Sequence, residues 1–310
     1  MSSNLPLVSV ICATYNQEKY IGQCLEGILM QETDFEFEVI VNDDASTDRT
    51  PEIVKEYEMK HDNIVAIYQE RNLWSQGISI PRTILYPRVR GKYVAICEGD
   101  DYWIDPLKLQ KQVEYMEAHP EVSVCATEGY VLNQTSGKMT PVYDSKKVLF
   151  TLEDLLRSNP ISTVSTLSRA EWLMEYQMKI APLLPHFLMG DYPLWFYMAK
   201  RGPIALLKDK CFVYRELELS ASHFKSPYKH IDFYISVCDI RACFNSLLKI
   251  GRPFMMYRKF RNVRRKCRRV AKAYGVGFWK IYFYSLKKMI FHSAARPSKE
   301  ARAAISEILK

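Results

Sequence analysis

Residues 91–103 read Gly91-Lys-Tyr-Val-Ala-Ile-Cys-Glu-Gly-Asp-Asp-Tyr-Trp103. The run from 93 to 97 is short, apolar and built of aromatic and β-branched residues, the pattern of a strand buried on both faces. It then breaks into three acids, Glu98, Asp100 and Asp101. The same order occurs twice upstream. Residues 7–12 form an apolar run that ends near Thr14, Tyr15 and Asn16. Residues 37–41 run into Asn42-Asp-Asp-Ala-Ser-Thr-Asp48, a polar cluster that cannot continue a sheet. Acidic and polar residues therefore follow the carboxyl ends of several predicted strands, and in an open parallel sheet that edge is where ligands bind.

The segments between these strands carry a helical period. Ile21, Leu25, Ile28 and Leu29 mark one face of a helix over 17–31. Thr50-Pro51 reads as an N-cap and first helical residue, with Ile53, Val54 and Tyr57 turned inward, and Asp105-Pro106 opens a helix carrying Leu109, Val113 and Met116. Residues 64–68 and 122–126 are further strands, and 78–86 reads as a helix interrupted by Pro81. This βαβαβ alternation predicts an α/β fold, a mostly parallel Rossmann-like sheet flanked by helices. The second half is less regular. Residues 151–158, 169–179 and 192–200 read as helices, 205–214 contains a strand, and the chain from about residue 230 is helical and basic.

With 310 residues the chain can bury a large core, and 48% hydrophobic against 25% charged residues excludes a disordered or low-complexity protein. No apolar run reaches the roughly 20 residues that span a bilayer. The N-terminus lacks the basic and apolar regions of a secretory leader, and the eight cysteines contain no C-x-x-C pair. These features predict reduced structural thiols in a cytoplasmic protein. The net charge of +8 is unevenly spread. Residues 251–290 hold thirteen Lys and Arg and no Asp or Glu, and the last twenty residues add +2, which leaves residues 1–250 at −7. A solvated helical face, nucleic-acid binding and an anionic membrane surface all use basic residues. The acidic body argues against nucleic acid, while the aromatic run at 278–284 favours a membrane surface.

No G-x-G-x-x-G follows the first strand and no G-x-x-x-x-G-K-[ST] occurs, which argues against dinucleotide-binding and P-loop readings. Carboxylates as close as Glu98, Asp100 and Asp101 repel unless a cation joins them or one takes up a proton. Oxygen ligands suit a hard ion such as Mg²⁺ or Mn²⁺, usually shared with phosphates. The plainer alternative is that the acids only cap loops and helix ends.

Three motifs together, residues 8–16 (VSVICATYN), 39–48 (VIVNDDASTD) and 91–103, resemble glycosyltransferase family 2 in order and spacing. The likeness is strong over about 5–120 and weaker to about 222. It implies a GT-A fold and an inverting transferase that moves a sugar from a nucleotide-diphosphate donor, UDP-linked in many members, to a saccharide or lipid-linked acceptor in bacterial surface polysaccharide synthesis. Thr14, Tyr15 and Asn16 would then line the nucleotide pocket, Asp43 and Asp44 would hold base and ribose, and Asp100 and Asp101 would hold the metal and diphosphate. Glu98 stands where many members have Asp. Asp191, opening a helix where the family often has a Glu-Asp pair, would be the catalytic base, though a helix cap uses the same residue. Trp195, one turn on, either meets the acceptor or packs in the core. Arg215, and with it Arg71 and Arg82, would meet the diphosphate. Leu217 occupies the place of a His that many members use at the metal site, and His223 is a substitute or a surface residue.

The resemblance also suggests a catalytic region 1–225, its donor half at 1–105 and its acceptor half at 106–225, and the charge pattern sets off a basic helical region 226–310. The N-terminus and the cysteines suggest a cytoplasmic protein, and the basic, aromatic tail suggests one peripheral on the inner face of the plasma membrane through residues 251–290. Two other functions use similar parts. A sugar-nucleotide nucleotidyltransferase needs a Gly-rich basic phosphate loop after the first strand, which is missing; a non-catalytic sugar-nucleotide-binding protein would have lost the acidic motif, which is present.

Overall fold

The computed structural model describes residues 5–142, 146–217, 226–250, 255–291 and 297–309. The first half runs β1 (Val8–Thr14), α1 (Ile21–Leu29), β2 (Phe37–Asp43), α2 (Thr50–Glu58), β3 (Ile64–Tyr68), β4 (Tyr93–Ile96), β5 (Tyr102–Trp103), α3 (Lys108–Ala118), β6 (Val124–Asn133), β7 (Lys138–Pro141) and β8 (Leu149–Phe150). It continues with α4 (Leu152–Leu155), β9 (Leu167–Arg169), α5 (Ala170–Glu175), α6 (Asp191–Arg201), β10 (Ile204–Glu216), α7 (Pro227–Leu247), α8 (Met255–Tyr274), α9 (Phe278–Phe291) and α10 (Lys299–Ile308).

The strands form one sheet in the order β3-β2-β1-β4-β9-β6-β10-β5, with β7 on β6 and β8 on β10. The pairs β2–β3, β1–β2, β1–β4 and β6–β10 are parallel. Short β9 enters between β4 and β6, antiparallel to both, and β5 turns back along β10. All residues of β1 except Ala13 are buried, as expected of a strand covered on both faces. On one side α1 supplies Ile21, Cys24, Leu25 and Ile28. Gly27 lets α1 rest on the β5 backbone, since a Cβ there would lie 2.7 Å from the Trp103 carbonyl oxygen.

Three local features differ from the sequence reading. Helix α2 starts at Thr50, one residue earlier than expected, and Asp48, two residues before it, holds its first residue: Asp48 Oδ1 accepts from the Thr50 N–H at 2.9 Å and from its hydroxyl at 2.6 Å. The stretch 78–86 forms a π-turn at Pro81–Leu85 followed by a 3₁₀ turn at Tyr86–Arg88, so Pro81 begins its segment, where its missing N–H costs no bond. The helix expected over 169–179 starts after β9 and passes into a π-turn, Tyr176–Ile180.

The chain divides into two compact units. The first comprises Met1–Phe150, Pro160–Met178 and Arg201–Leu217; the second comprises Thr151–Asn159, Lys179–Lys200 and Glu218–Lys310. The first holds the sheet. Within the second, the hydroxyl of Tyr192 on α6 donates to the Leu155 carbonyl, Arg241 Nε on α7 donates to the Tyr192 hydroxyl at 2.8 Å, and Phe196 stacks on Phe244 at 4.9 Å. Ile231, Ile235 and Cys238 of α7 form a core with Val263 and Cys267 of α8 and Ile281 and Met289 of α9. All eight cysteines are buried thiols, none of them in a disulfide. Among the described residues no helix is long and apolar enough to cross a membrane.

Candidate active site

The parallel register brings the motif ends together at one sheet edge. Thr14 closes β1 opposite Asp43 at the end of β2. The Asp44 N–H donates to the Thr14 carbonyl at 3.0 Å, and the Gly99 N–H donates to the Ala13 carbonyl at 3.0 Å. The loop after β4 is thereby tied to the end of β1. Gly99 is required there, because a side chain would run into Gln17 Oε1 and lie 2.8 Å from Thr14 Cβ and Oγ1. Gln17 also accepts the Thr14 hydroxyl at 2.7 Å and helps hold Asp100.

Glu98, Asp100 and Asp101 present carboxylate oxygens that all lie within 4.8 Å of one another. Asp101 is fully buried. Its Oδ1 accepts from the Arg215 backbone N–H at 2.8 Å, and its Oδ2 has no hydrogen-bond partner among the described residues. Burial holds the Asp101 carboxyl well above the usual carboxylate range, and the charges of Asp100 and Glu98 push the same way. Burial also raises Asp100. An orphaned buried oxygen within an all-oxygen acidic set fits a hard divalent cation, which supplies the missing positive charge.

Arg215, near the end of β10, is buried between Tyr20 and Tyr102, its guanidinium carbon 5.1 and 4.4 Å from their ring centroids. Its Nη2 donates to Gln23 Oε1, while Nε is buried and has no partner among the described residues. Its charge lowers both Asp100 and Asp101. Gln17, Gln23, Tyr20 and Tyr102 are absent from the sequence reading of the site. Tyr102 alone had a signal, as the residue directly after the acidic cluster.

Asp43 and Asp44 are buried and already bonded. Asp43 accepts the Ser46 hydroxyl at 2.5 Å and its N–H at 3.1 Å, and burial raises its carboxyl despite these bonds. Asp44 accepts the N–H groups of Leu73 at 2.8 Å and Trp74 at 3.0 Å, one on each oxygen. Asn16 takes φ 52°, a left-handed conformation that Asn tolerates, and its Oδ1 accepts the Thr47 N–H at 2.8 Å. The pair therefore shapes two loops, 44–48 and 72–76. Tyr15 is exposed on this edge; Arg71 is exposed on the loop after β3, and Arg82 is half-buried in the π-turn.

The model of glycosyl transferase family 2 matches residues 9–169, a little over half of the chain and the part that holds these motifs. The chain belongs to glycosyl transferase family 2. An uncharacterized protein of Mycobacterium tuberculosis is 37% identical over 211 residues, 67% of this chain and 58% of that protein, so the chain spans little over half of that relative. TuaG of Bacillus subtilis, whose name assigns it provisionally to teichuronic acid biosynthesis, is 30% identical over 72% of this chain and 84% of its own. The crystal structure of residues 1–349 of TarS from S. aureus in complex with UDP-GlcNAc superposes with a TM-score of 0.59 at 20% identity, covering 97% of this chain and 90% of that one. That likeness shows the GT-A fold.

The other family positions lie as follows. Asp191 opens α6, and the Trp195 indole N–H donates to its Oδ2 at 3.3 Å. Trp195 is fully buried. Leu217 is half-buried just beyond β10, and His223 lies outside the described residues.

Proposed function

We propose that the chain is an inverting, metal-dependent glycosyltransferase that moves a sugar from a UDP-linked donor to a hydroxyl of a saccharide or lipid-linked saccharide in cell-surface polysaccharide synthesis. The observation that carries this reading is the buried Asp101 carboxylate, one oxygen without a partner among the described residues, beside Asp100, Glu98 and Arg215 at the carboxyl edge of the sheet. The UDP assignment draws on the TarS complex with UDP-GlcNAc, and the polysaccharide assignment on the name of TuaG.

In this reading Mg²⁺ or Mn²⁺ would be held by Asp100 and Asp101, with Glu98 alongside. When bound, such an ion neutralises the charge that develops on a departing diphosphate. The residues of the chain do the rest. Arg215, fixed between two tyrosine rings, presents its Nε–H as a donor to the diphosphate, with Arg71 and Arg82 as further cations. Thr14, Tyr15 and Asn16 line the nucleotide pocket, and Asp43 and Asp44 set its walls for base and ribose. Asp191 takes the proton from the acceptor hydroxyl, a role drawn from the family resemblance alone. The catalytic region is assigned to residues 1–225.

The test is incubation with UDP-sugars, Mn²⁺ and saccharide acceptors. Release of UDP, with the product anomer opposite to the donor's, supports transfer. Release of pyrophosphate from NTP and sugar phosphate would make the chain a nucleotidyltransferase. Asp191→Asn is expected to bind UDP with Mn²⁺ as the parent does and to lose at least about a hundredfold in transfer rate, the usual scale of a general base. Near-parental turnover would remove Asp191 from that role.

A further inference from the structure

Away from the acidic cluster, α9 exposes two large aromatic side chains one turn apart. Trp279 and Phe283 are 60% and 62% exposed, and their rings stack at 5.9 Å between centroids. Phe278 meets Trp279 edge-on at 5.1 Å, and the guanidinium of Arg268 on α8 lies 5.6 Å from the Phe278 ring. That contact joins the aromatic pair to the exposed face of α8. Arg261, Arg265, Arg268 and Lys272 line this face at helical spacing, and Arg264 and Arg269 flank it, all exposed. The opposite face, Val263, Cys267, Val270 and Ala271, is buried. Lys280 and Lys287 are exposed on α9 beside the aromatic pair. Residues 251–290 contain no acidic residue to offset these charges.

We propose that α8 and α9 form a docking surface for an anionic lipid bilayer, with Trp279 and Phe283 entering the interface and the surrounding Arg and Lys meeting lipid phosphates. Side chains of this kind settle at the headgroup level, where rings reach the acyl boundary and cations stay with the phosphates. A nucleic acid would need an open ring face for base stacking. Here Trp279 and Phe283 stack on each other, at 30° between planes, so each ring has one face turned to its neighbour. The acidic remainder of the chain is repelled by the same lipid surface, so attraction is confined to this face. Neither the metal cluster nor sugar transfer enters into this proposal.

The test is co-sedimentation of the full chain with vesicles of phosphatidylcholine alone and with about one third phosphatidylserine. Binding at least about tenfold tighter to the anionic vesicles, weakened by salt, is expected. The double variant Trp279→Ser/Phe283→Ser is expected to lose about tenfold or more of that binding with its melting temperature unchanged, because both sites are exposed. Arg264→Glu/Arg268→Glu is expected to abolish the preference for anionic vesicles. Absence of binding, equal binding to both vesicles, or parental binding by the aromatic variant overturns the proposal. So does tighter binding to a single-stranded oligonucleotide that the aromatic variant loses in the same proportion.

Discussion

At the scale of single residues, Asp101 carries opposing demands. Its carboxyl lies well above the ordinary carboxylate range because it is buried beside Asp100 and Glu98. A carboxylate raised in the folded state costs stability. The cost is absent below the unfolded value of about 4, grows as pH rises from there to the raised value, and is complete above it. Asp101→Asn removes that cost. In the absence of metal, the variant is therefore expected to melt at or above the parent's temperature at neutral pH, with the difference closing toward pH of about 4. Added Mn²⁺ should raise the melting temperature of the parent alone. Scanning fluorimetry across pH, with and without Mn²⁺, measures both; a metal-free parent several degrees more stable than the variant at neutral pH contradicts the argument. Gly99 is the second such residue. Gly99→Ala forces a methyl against Thr14 and Gln17 and is expected to cost about 1–3 kcal/mol. Because it displaces the acidic loop, it should also weaken UDP binding in the presence of Mn²⁺, as calorimetry would show. The acids of this site were legible in the sequence because they directly follow strands. Their partners were not. Gln17, Gln23 and Tyr20 reach the cluster only through the docking of α1 and its preceding loop, which no local pattern encodes.

At the scale of elements, what was legible depended on how local the cause is. β1, α1, β2 and β4 follow from hydrophobic period, and the structure places them there. The three residues of β9 and the two of β5 carry no period. They are strands because β4, β6 and β10 offer unpaired edges to them, a non-local cause. α2 starts one residue before the expected Pro51 because Asp48 and Thr50 are both good caps, and the loop geometry selects Asp48. Asp48→Ala is expected to lower stability by about 1 kcal/mol, measured by urea unfolding. Trp103 shows how elements act together. Its indole N–H donates to the Val164 carbonyl at 3.0 Å, its backbone rests on Gly27, and the Lys108 ammonium lies 4.0 Å from its ring. Lys108 is completely buried, and desolvation lowers it to about 8. The strand that leaves the acidic cluster is therefore fixed on three sides, which keeps Asp101 in place before any ligand arrives.

At the scale of the whole molecule, the two compact units differ in what they hold. Glu98, Asp100, Asp101, Arg215, Thr14, Asp43 and Asp44 all belong to the first, and the basic helices α8 and α9 belong to the second. Ligand binding stabilises the states that bind it, by mass action. UDP with Mn²⁺ should therefore slow amide exchange where opening destroys the site, in β1, β2, β4, β5 and the 97–101 loop. Segments that can open without disturbing those residues should keep their ligand-free rates. The core of α7–α9 is the clearest such segment, since Ile231, Ile235, Cys238, Val263, Cys267 and Ile281 pack with one another. Hydrogen exchange followed by mass spectrometry, with and without UDP and Mn²⁺, should show at least about tenfold slowing in the strand ends and little change in α7–α9. Equal slowing in both would mean that the units open together. The segregation of charge would then be a feature of one cooperative body, and the nucleotide site and the basic face would be linked through it.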